Sequence, residues 1–198
     1  MAPNCQLRMT IRSFLAFPIS GELKEKFEQI LCDLQHTPAD VKWVKPENIH
    51  LTLKFLGDLK KNDIEKVVSV VKEQCRRFQS ITTYLNEIGA FPDLHHPKIV
   101  WGGIDDPDNE IQKIVEILEN ELVKLGIAKD DHPFKAHITL GRVKSSKNLR
   151  NLIETIQQIT IENKITQTFE RIILYKSTLT SEGPIYEILE EFKWGESL

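Results

Sequence analysis

The sequence predicts an α+β fold with largely antiparallel sheets, and three observations carry that reading. Strand-like and helix-like runs are mixed without the regular β-α-β alternation of a doubly wound sheet. Strands 81–91 and 98–104 follow one another directly, as do strands 169–177 and 185–192. Each half of the chain also carries one apolar strand with the same tripeptide pattern.

The elements follow in order from hydrophobic period and turn chemistry. Residues 10–17 form a strand closed by Pro18. Leu23, Phe27, Ile30, Leu31 and Leu34 recur at helical spacing behind Ser20, a good N-cap. A turn at Thr37-Pro38-Ala39-Asp40 leads to a short strand at 41–44. Pro46-Glu47-Asn48 turns the chain into a strand at 49–56 that stops at Gly57-Asp58. Ile64, Val67, Val68, Val71, Cys75 and Phe78 mark a second amphipathic helix. After the strands 81–91 and 98–104, Pro107 opens a third helix on Ile111, Ile114, Val115, Leu118, Leu122 and Leu125, with Gly126 past its end. A strand at 136–143 precedes a short helix on Leu149, Leu152, Ile153 and Ile156, and Ser181-Glu182-Gly183-Pro184 joins the last two strands.

Composition narrows the class. The 198 residues are 40% hydrophobic and 28% charged, ordinary values for a folded globular chain. The formal net charge of −3 argues against a general coat for nucleic acid. No run approaches the roughly 18 apolar residues of a membrane span, and residues 1–10 lack the apolar core of a secretory signal. Cys5, Cys32 and Cys75 are scattered, with no CxxC pair and no HExxH, so neither a disulfide framework nor a metal site is expected. Cys32 and Cys75 are expected in the core, on the apolar faces of their helices. A cytoplasmic protein without cofactors is the simplest reading. Residues 1–8 are expected to be a disordered extension, and 9–198 a single domain.

The two matching strands are Ile49-His50-Leu51-Thr52-Leu53 and Ala136-His137-Ile138-Thr139-Leu140. One His-x-Thr is common by chance; two, each in a strand, in opposite halves of a chain with 6 histidines, form a pattern. Side chains two apart share a strand face. His50 and Thr52 therefore point one way, while Ile49, Leu51, Leu53 and Phe55 point to the core. The same holds for His137 and Thr139 against Ala136, Ile138 and Leu140. If the halves pack about a pseudo-twofold axis, two imidazoles and two hydroxyls converge on a small anion. That suits displacement at phosphorus: one histidine takes a proton from the attacking oxygen and the other gives one to the leaving oxygen. Threonine hydroxyls can hold the non-bridging oxygens. His36, His95, His96 and His132 fall in loops and are expected at the surface.

With these motifs the sequence resembles the 2H phosphoesterase superfamily, and within it the RNA 2′,3′-cyclic phosphodiesterases, historically called 2′-5′ RNA ligases. The likeness extends through Arg12-Ser13-Phe14-Leu15-Ala16-Phe17-Pro18, Val41-Lys42-Trp43-Val44-Lys45-Pro46-Glu47-Asn48 and Leu53-Lys54-Phe55-Leu56-Gly57. It continues in Pro97-Lys98-Ile99-Val100-Trp101, Phe134-Lys135-Ala136-His137-Ile138-Thr139-Leu140-Gly141-Arg142 and Tyr186-Glu187-Ile188-Leu189. Ala136 and Gly141 depart from the proline and alanine usual in relatives. The resemblance implies a bilobal, duplicated fold of two antiparallel sheets flanked by helices, with the site in the cleft between the lobes. It implies hydrolysis of a 2′,3′-cyclic phosphate at an RNA end to a 2′-phosphate. In it His50 resembles the general acid, His137 the base that activates water, and Thr52 and Thr139 the phosphoryl clamps. Arg142 matches the family's arginine, but strict alternation points it away from His137, so it reaches the cleft only if the strand bulges or ends near Gly141. Phe14 and Phe55 are candidates for a base-stacking wall, against the alternative that both are core.

Other readings stay open: 2′-5′ ligation or cleavage of 2′-5′ oligonucleotides, a nucleotide-binding module without turnover, and a metallohydrolase. A monomer is expected, with an RNA terminus or cyclic nucleotide as partner. Charge patterning agrees with a small basic cleft. Residues 134–150 hold Lys135, Arg142, Lys144, Lys147 and Arg150 without an acid. Residues 41–61 hold five lysines against Glu47 and Asp58, whereas 105–121 hold seven acids and one lysine.

Overall fold

The computed structural model describes residues 10–162 and 164–195; the predicted extension at 1–8, with Cys5, lies outside them. In chain order the elements are β1 (Thr10–Pro18), α1 (Gly21–Gln35), β2 (Val41–Trp43), a 3-10 turn (Pro46–Asn48), β3 (His50–Lys60) and α2 (Lys61–Cys75). Then come β4 (Ile81–Phe91), β5 (Ile99–Ile104), α3 (Glu110–Val123), β6 (His137–Val143), α4 (Leu149–Gln158), β7 (Thr166–Phe169), β8 (Arg171–Thr180) and β9 (Gly183–Lys193).

The strands form two sheets, ordered β3-β1-β8-β9 and β2-β6-β5-β4-β7. All their pairings are antiparallel. Counted outward from the histidine-bearing strand, β3-β1-β8-β9 repeats as β6-β5-β4-β7, with β2 added outside β6. In each half a helix separates the histidine strand from its neighbour, and that helix crosses to the other sheet. Thus α1 lays Phe27 on β5, where a Cβ on Gly102 would strike the phenyl ring. In exchange α3 packs beside α2 on the first sheet, next to β3. Leu15, Phe17, Leu51 and Phe27 join Val100, Ile138 and Leu140 in one continuous apolar cluster. The crossing helices therefore tie the two halves together by burial, the main favourable term in folding.

Local chemistry accounts for most boundaries and for each departure from expectation. Ser20 sits at the N-cap of α1 in extended backbone, yet its hydroxyl makes no cap bond; its N–H donates instead to Gln167 Oε1 at 3.2 Å. The third helix begins at Glu110, later than Pro107 suggested, because the Asp106 carboxylate accepts the N–H groups of Ile111 and Gln112. The predicted strand at 169–177 is two strands. Polar Thr166-Gln167-Thr168 disguise β7, which pairs with β4, and the chain changes sheet at Glu170 before β8 joins β1. Strand β3 also runs past Gly57-Asp58 to Lys60, with Gly57 at φ 72° absorbing an irregularity in its pairing with β1. Cys75 is buried as expected, and burial pushes its thiol up to about 12. Cys32 is exposed instead, since it lies roughly 100° around α1 from Leu31, off the apolar stripe.

Candidate active site

The residues before each histidine set its ring by the same device. His50 Nδ1 lies 2.7 Å from the Asn48 carbonyl, and His137 Nδ1 lies 2.7 Å from the Lys135 carbonyl, each two residues back. A carbonyl can only accept, so each Nδ1 carries the hydrogen and each Nε2 is left with a lone pair. Asn48 does a second task, donating its amide to the Pro184 carbonyl at 2.9 Å and so tying the start of β3 to the β8–β9 hairpin.

Strands β3 and β6 run close to one another, one from each sheet. Burial lowers the His50 imidazole to about 4; the Asn48 carbonyl opposes the shift and the nearby His137 adds to it. Burial also lowers His137; the Lys135 carbonyl opposes that shift, while the Lys135 and Arg142 cations add to it. His50 thus senses His137, and with both shifted below the ordinary value the two rings are neutral at pH 7. Thr52 and Thr139 each lie on the same strand face as their histidine, half-buried.

Both strands then bulge at the same distance from the histidine. In β3 the pairing passes from Ala16–Thr52 to Leu15–Lys54, leaving Leu53 extra. In β6 it passes from Trp101–Thr139 to Val100–Gly141, leaving Leu140 extra. Each bulge reverses the alternation beyond it. Arg142 is thereby turned to the face of His137, as the conditional reading of Gly141 required. Phe55 is turned out as well: it was expected on the core face, but it is 58% exposed, 6.0 Å from Phe14 between ring centroids. Phe14 itself is 3% exposed and lies under His50, with 4.8 Å between centroids. It is a floor rather than a wall.

Sequence reasoning did not single out several neighbours. Tyr175 and Tyr186 pack around His50, at 6.2 and 5.3 Å between centroids. They lie on β8 and β9, far along the chain, and only the sheet order β3-β1-β8-β9 brings them here. Around His137, Phe91 packs edge-on at 5.1 Å, and the Lys135 ammonium rests 4.1 Å over the Trp101 ring. A cavity of about 350 Å³ opens beside His50, lined by Lys45, Asn48, Tyr175, Ile185, Tyr186 and Ile188 among others. The remaining histidines, His36, His95, His96 and His132, are exposed as expected.

An antiparallel pair of sheets with a His-x-Thr strand facing inward from each is the architecture of the two-histidine phosphoesterases. The chain belongs to the LigT-like phosphoesterase family, whose model matches residues 17–101 and 104–186. It is 31% identical to the RNA 2′,3′-cyclic phosphodiesterase of Methanothermobacter thermautotrophicus, over 93% of this chain and 100% of that one. It is 35% identical to the Thermotoga maritima protein of the same name, over 91% and 94%. Among solved structures, a Thermus thermophilus protein superposes with a TM-score of 0.80 at 23% identity, covering 93% of this chain and 98% of that one. The Escherichia coli LigT complex with 3′-AMP gives 0.74 at 21% identity, covering 94% and 99%. No described helix is long and apolar enough to cross a membrane.

Proposed function

We propose that the protein hydrolyses the 2′,3′-cyclic phosphate at an RNA 3′ end to a 2′-phosphate, with two histidines and no metal. The observation that carries this reading is the matched pair of imidazoles, each locked through Nδ1 with Nε2 free. The names of the relatives support the substrate. In the forward step water gives a proton to His137 Nε2 and attacks phosphorus. The P–O3′ bond breaks as His50 Nε2–H protonates the departing O3′, leaving a 2′-phosphate and a 3′-hydroxyl. Thr52, Thr139 and Arg142 hold the phosphoryl oxygens, and Phe55 forms the apolar wall beside Phe14. His50 is neutral in the free enzyme, so it takes up a proton from solvent as substrate binds, because the negative phosphate favours the imidazolium. The same reading treats the lobes as one duplicated domain, acting as a monomer. It places the protein in the cytoplasm, with Cys32 and Cys75 as free thiols.

The test is incubation with an oligonucleotide ending in a 2′,3′-cyclic phosphate, with and without EDTA, followed by product identification. A 2′-phosphate formed equally in both is expected. A 3′-phosphate, sensitivity to EDTA, or full activity in His50→Ala or His137→Ala would overturn the mechanism.

A further inference from the structure

Two residues of β3 stand where hydropathy alone would not put them. Lys54 is 1% exposed and faces the helices, while Phe55 beside it is 58% exposed on the cleft side. Unbroken alternation from His50 would do the reverse, sending Lys54 to the cleft and Phe55 to the core. The exchange comes from the bulge at Leu53, one of two irregularities in the β1–β3 pairing. Burying a lysine and exposing a phenylalanine are both unfavourable, so the bulge needs something to hold it. Lys54 Nζ lies 2.5 Å from Glu119 Oε1 on α3 and 3.0 Å from Asp130 Oδ1 just beyond that helix. Glu119 Oε1 also accepts the Asp130 N–H at 2.9 Å, closing the cluster. Burial alone would raise the Glu119 carboxyl, but the Lys54 ammonium and the Asp130 N–H outweigh it and hold the group below its usual range.

The other histidine strand makes the same bulge without a charge. Gly141 stands four residues after His137, as Lys54 does after His50. A Cβ on Gly141 would strike Trp43 and Val41 of β2, which fill that space. Strand β3 has no such neighbour, because it is the edge of its sheet. An edge strand with a bulge is free to slip unless something anchors it.

We propose that Lys54 is a positioning residue: its ion pairs with Glu119 and Asp130 pin the β3 bulge, which sets Phe55 on the cleft wall and holds His50 and Thr52 in register. The role in catalysis rests on the reading of His50 and Thr52 given above; the pin itself does not. Methionine at 54 matches the lysine stem and removes the charge, so Lys54→Met lets the strand relax towards plain alternation. The substitution leaves the Glu119 carboxylate, 17% exposed, without its ammonium, while Asp130 is about half exposed, so Lys54→Met is also expected to lower stability.

The decisive measurement is hydroxyl-radical footprinting of the native Phe55 side chain, with buried Phe14 as internal reference. In Lys54→Met, measured well below its thermal midpoint, the oxidation rate of Phe55 is expected to fall about fivefold as the ring turns inward. On a cyclic-phosphate substrate kcat/KM is expected to fall about tenfold, and Lys54→Arg to recover it to within about threefold. Glu119→Gln weakens the same pin from outside the strand and should lower Phe55 oxidation too, which keeps the test intact if Lys54→Met does not fold. Unchanged Phe55 oxidation in either folded variant overturns the pin, whatever happens to activity. Lowered oxidation with unchanged kcat/KM sustains the pin and overturns instead the reading of the site on which its catalytic role rests.

Discussion

The two histidine-bearing strands are alike in plan and opposite in chemistry. Each locks its imidazole to the carbonyl two residues back, and each bulges after its threonine to turn the fifth residue past the histidine into the cleft. On β3 that residue is Phe55; on β6 it is Arg142. The surroundings follow suit. Phe14, Tyr175 and Tyr186 enclose His50, whereas Lys135 and Arg142 act electrostatically on His137. The two halves thus repeat one scaffold with different side chains, and the proposed reading gives them different tasks: an apolar wall suited to a base or ribose, and a cationic wall suited to a phosphate.

The comparison can be broken most severely at the histidines. Loss of either ring, in His50→Ala or His137→Ala, should lower kcat by roughly 10²- to 10⁴-fold, with the double variant little worse than the singles. Single-turnover kinetics on a cyclic-phosphate oligonucleotide checks this. Strictly additive losses would mean that the two strands do not act as one unit.

The difference in burial between the rings appears next, in pH dependence. His50 falls to about 4 in the folded chain, below its ordinary 6.5. Between those values the unfolded chain binds the extra proton, so stability is full above about pH 6.5 and declines as pH falls towards about 4, by on the order of 1–3 kcal/mol. His137 is shifted in the same direction and adds to the loss. Denaturant melts from about pH 7 to about pH 4 should show the decline, and His50→Gln should flatten part of it. For the same reason the optimum of kcat/KM is expected below about pH 6.5, since the singly protonated pair is scarce above it.

The two walls should separate by salt. Arg142→Met is expected to raise KM about tenfold and to reduce the dependence of KM on ionic strength, because one phosphate contact is lost. Phe55→Ala should raise KM by a similar or smaller factor with the salt dependence intact, as stacking is not screened. Identical salt slopes in the two variants would erase the distinction between the walls. The smallest effect on activity is expected from Gly102→Ala. It forces Phe27 of α1 off β5, for about 1–3 kcal/mol of stability in a thermal melt, and leaves KM unchanged.

Some of this was legible in the chain and some was not. Period-2 alternation is a local property, so His50 with Thr52 and His137 with Thr139 could be put on shared faces from sequence alone. Helical period likewise located the four helices, because each carries its own apolar stripe. The glycine at 141 also signalled the bulge that brings Arg142 round. At Leu53 no glycine or proline marks the equivalent bulge, and alternation therefore misplaced Phe55. The cause lies 65 residues away, in Glu119 on a helix that had to cross to the other sheet first. The tyrosines beside His50 and the change of sheet at Glu170 are decisions of the same kind.

What the sequence alone determined, then, is the pair of histidines and the strand faces that carry them, because backbone geometry repeats every two residues. Tertiary structure decided which side chains surround that pair and how its imidazoles are held neutral. Register, burial and ion pairing arise only when distant strands meet.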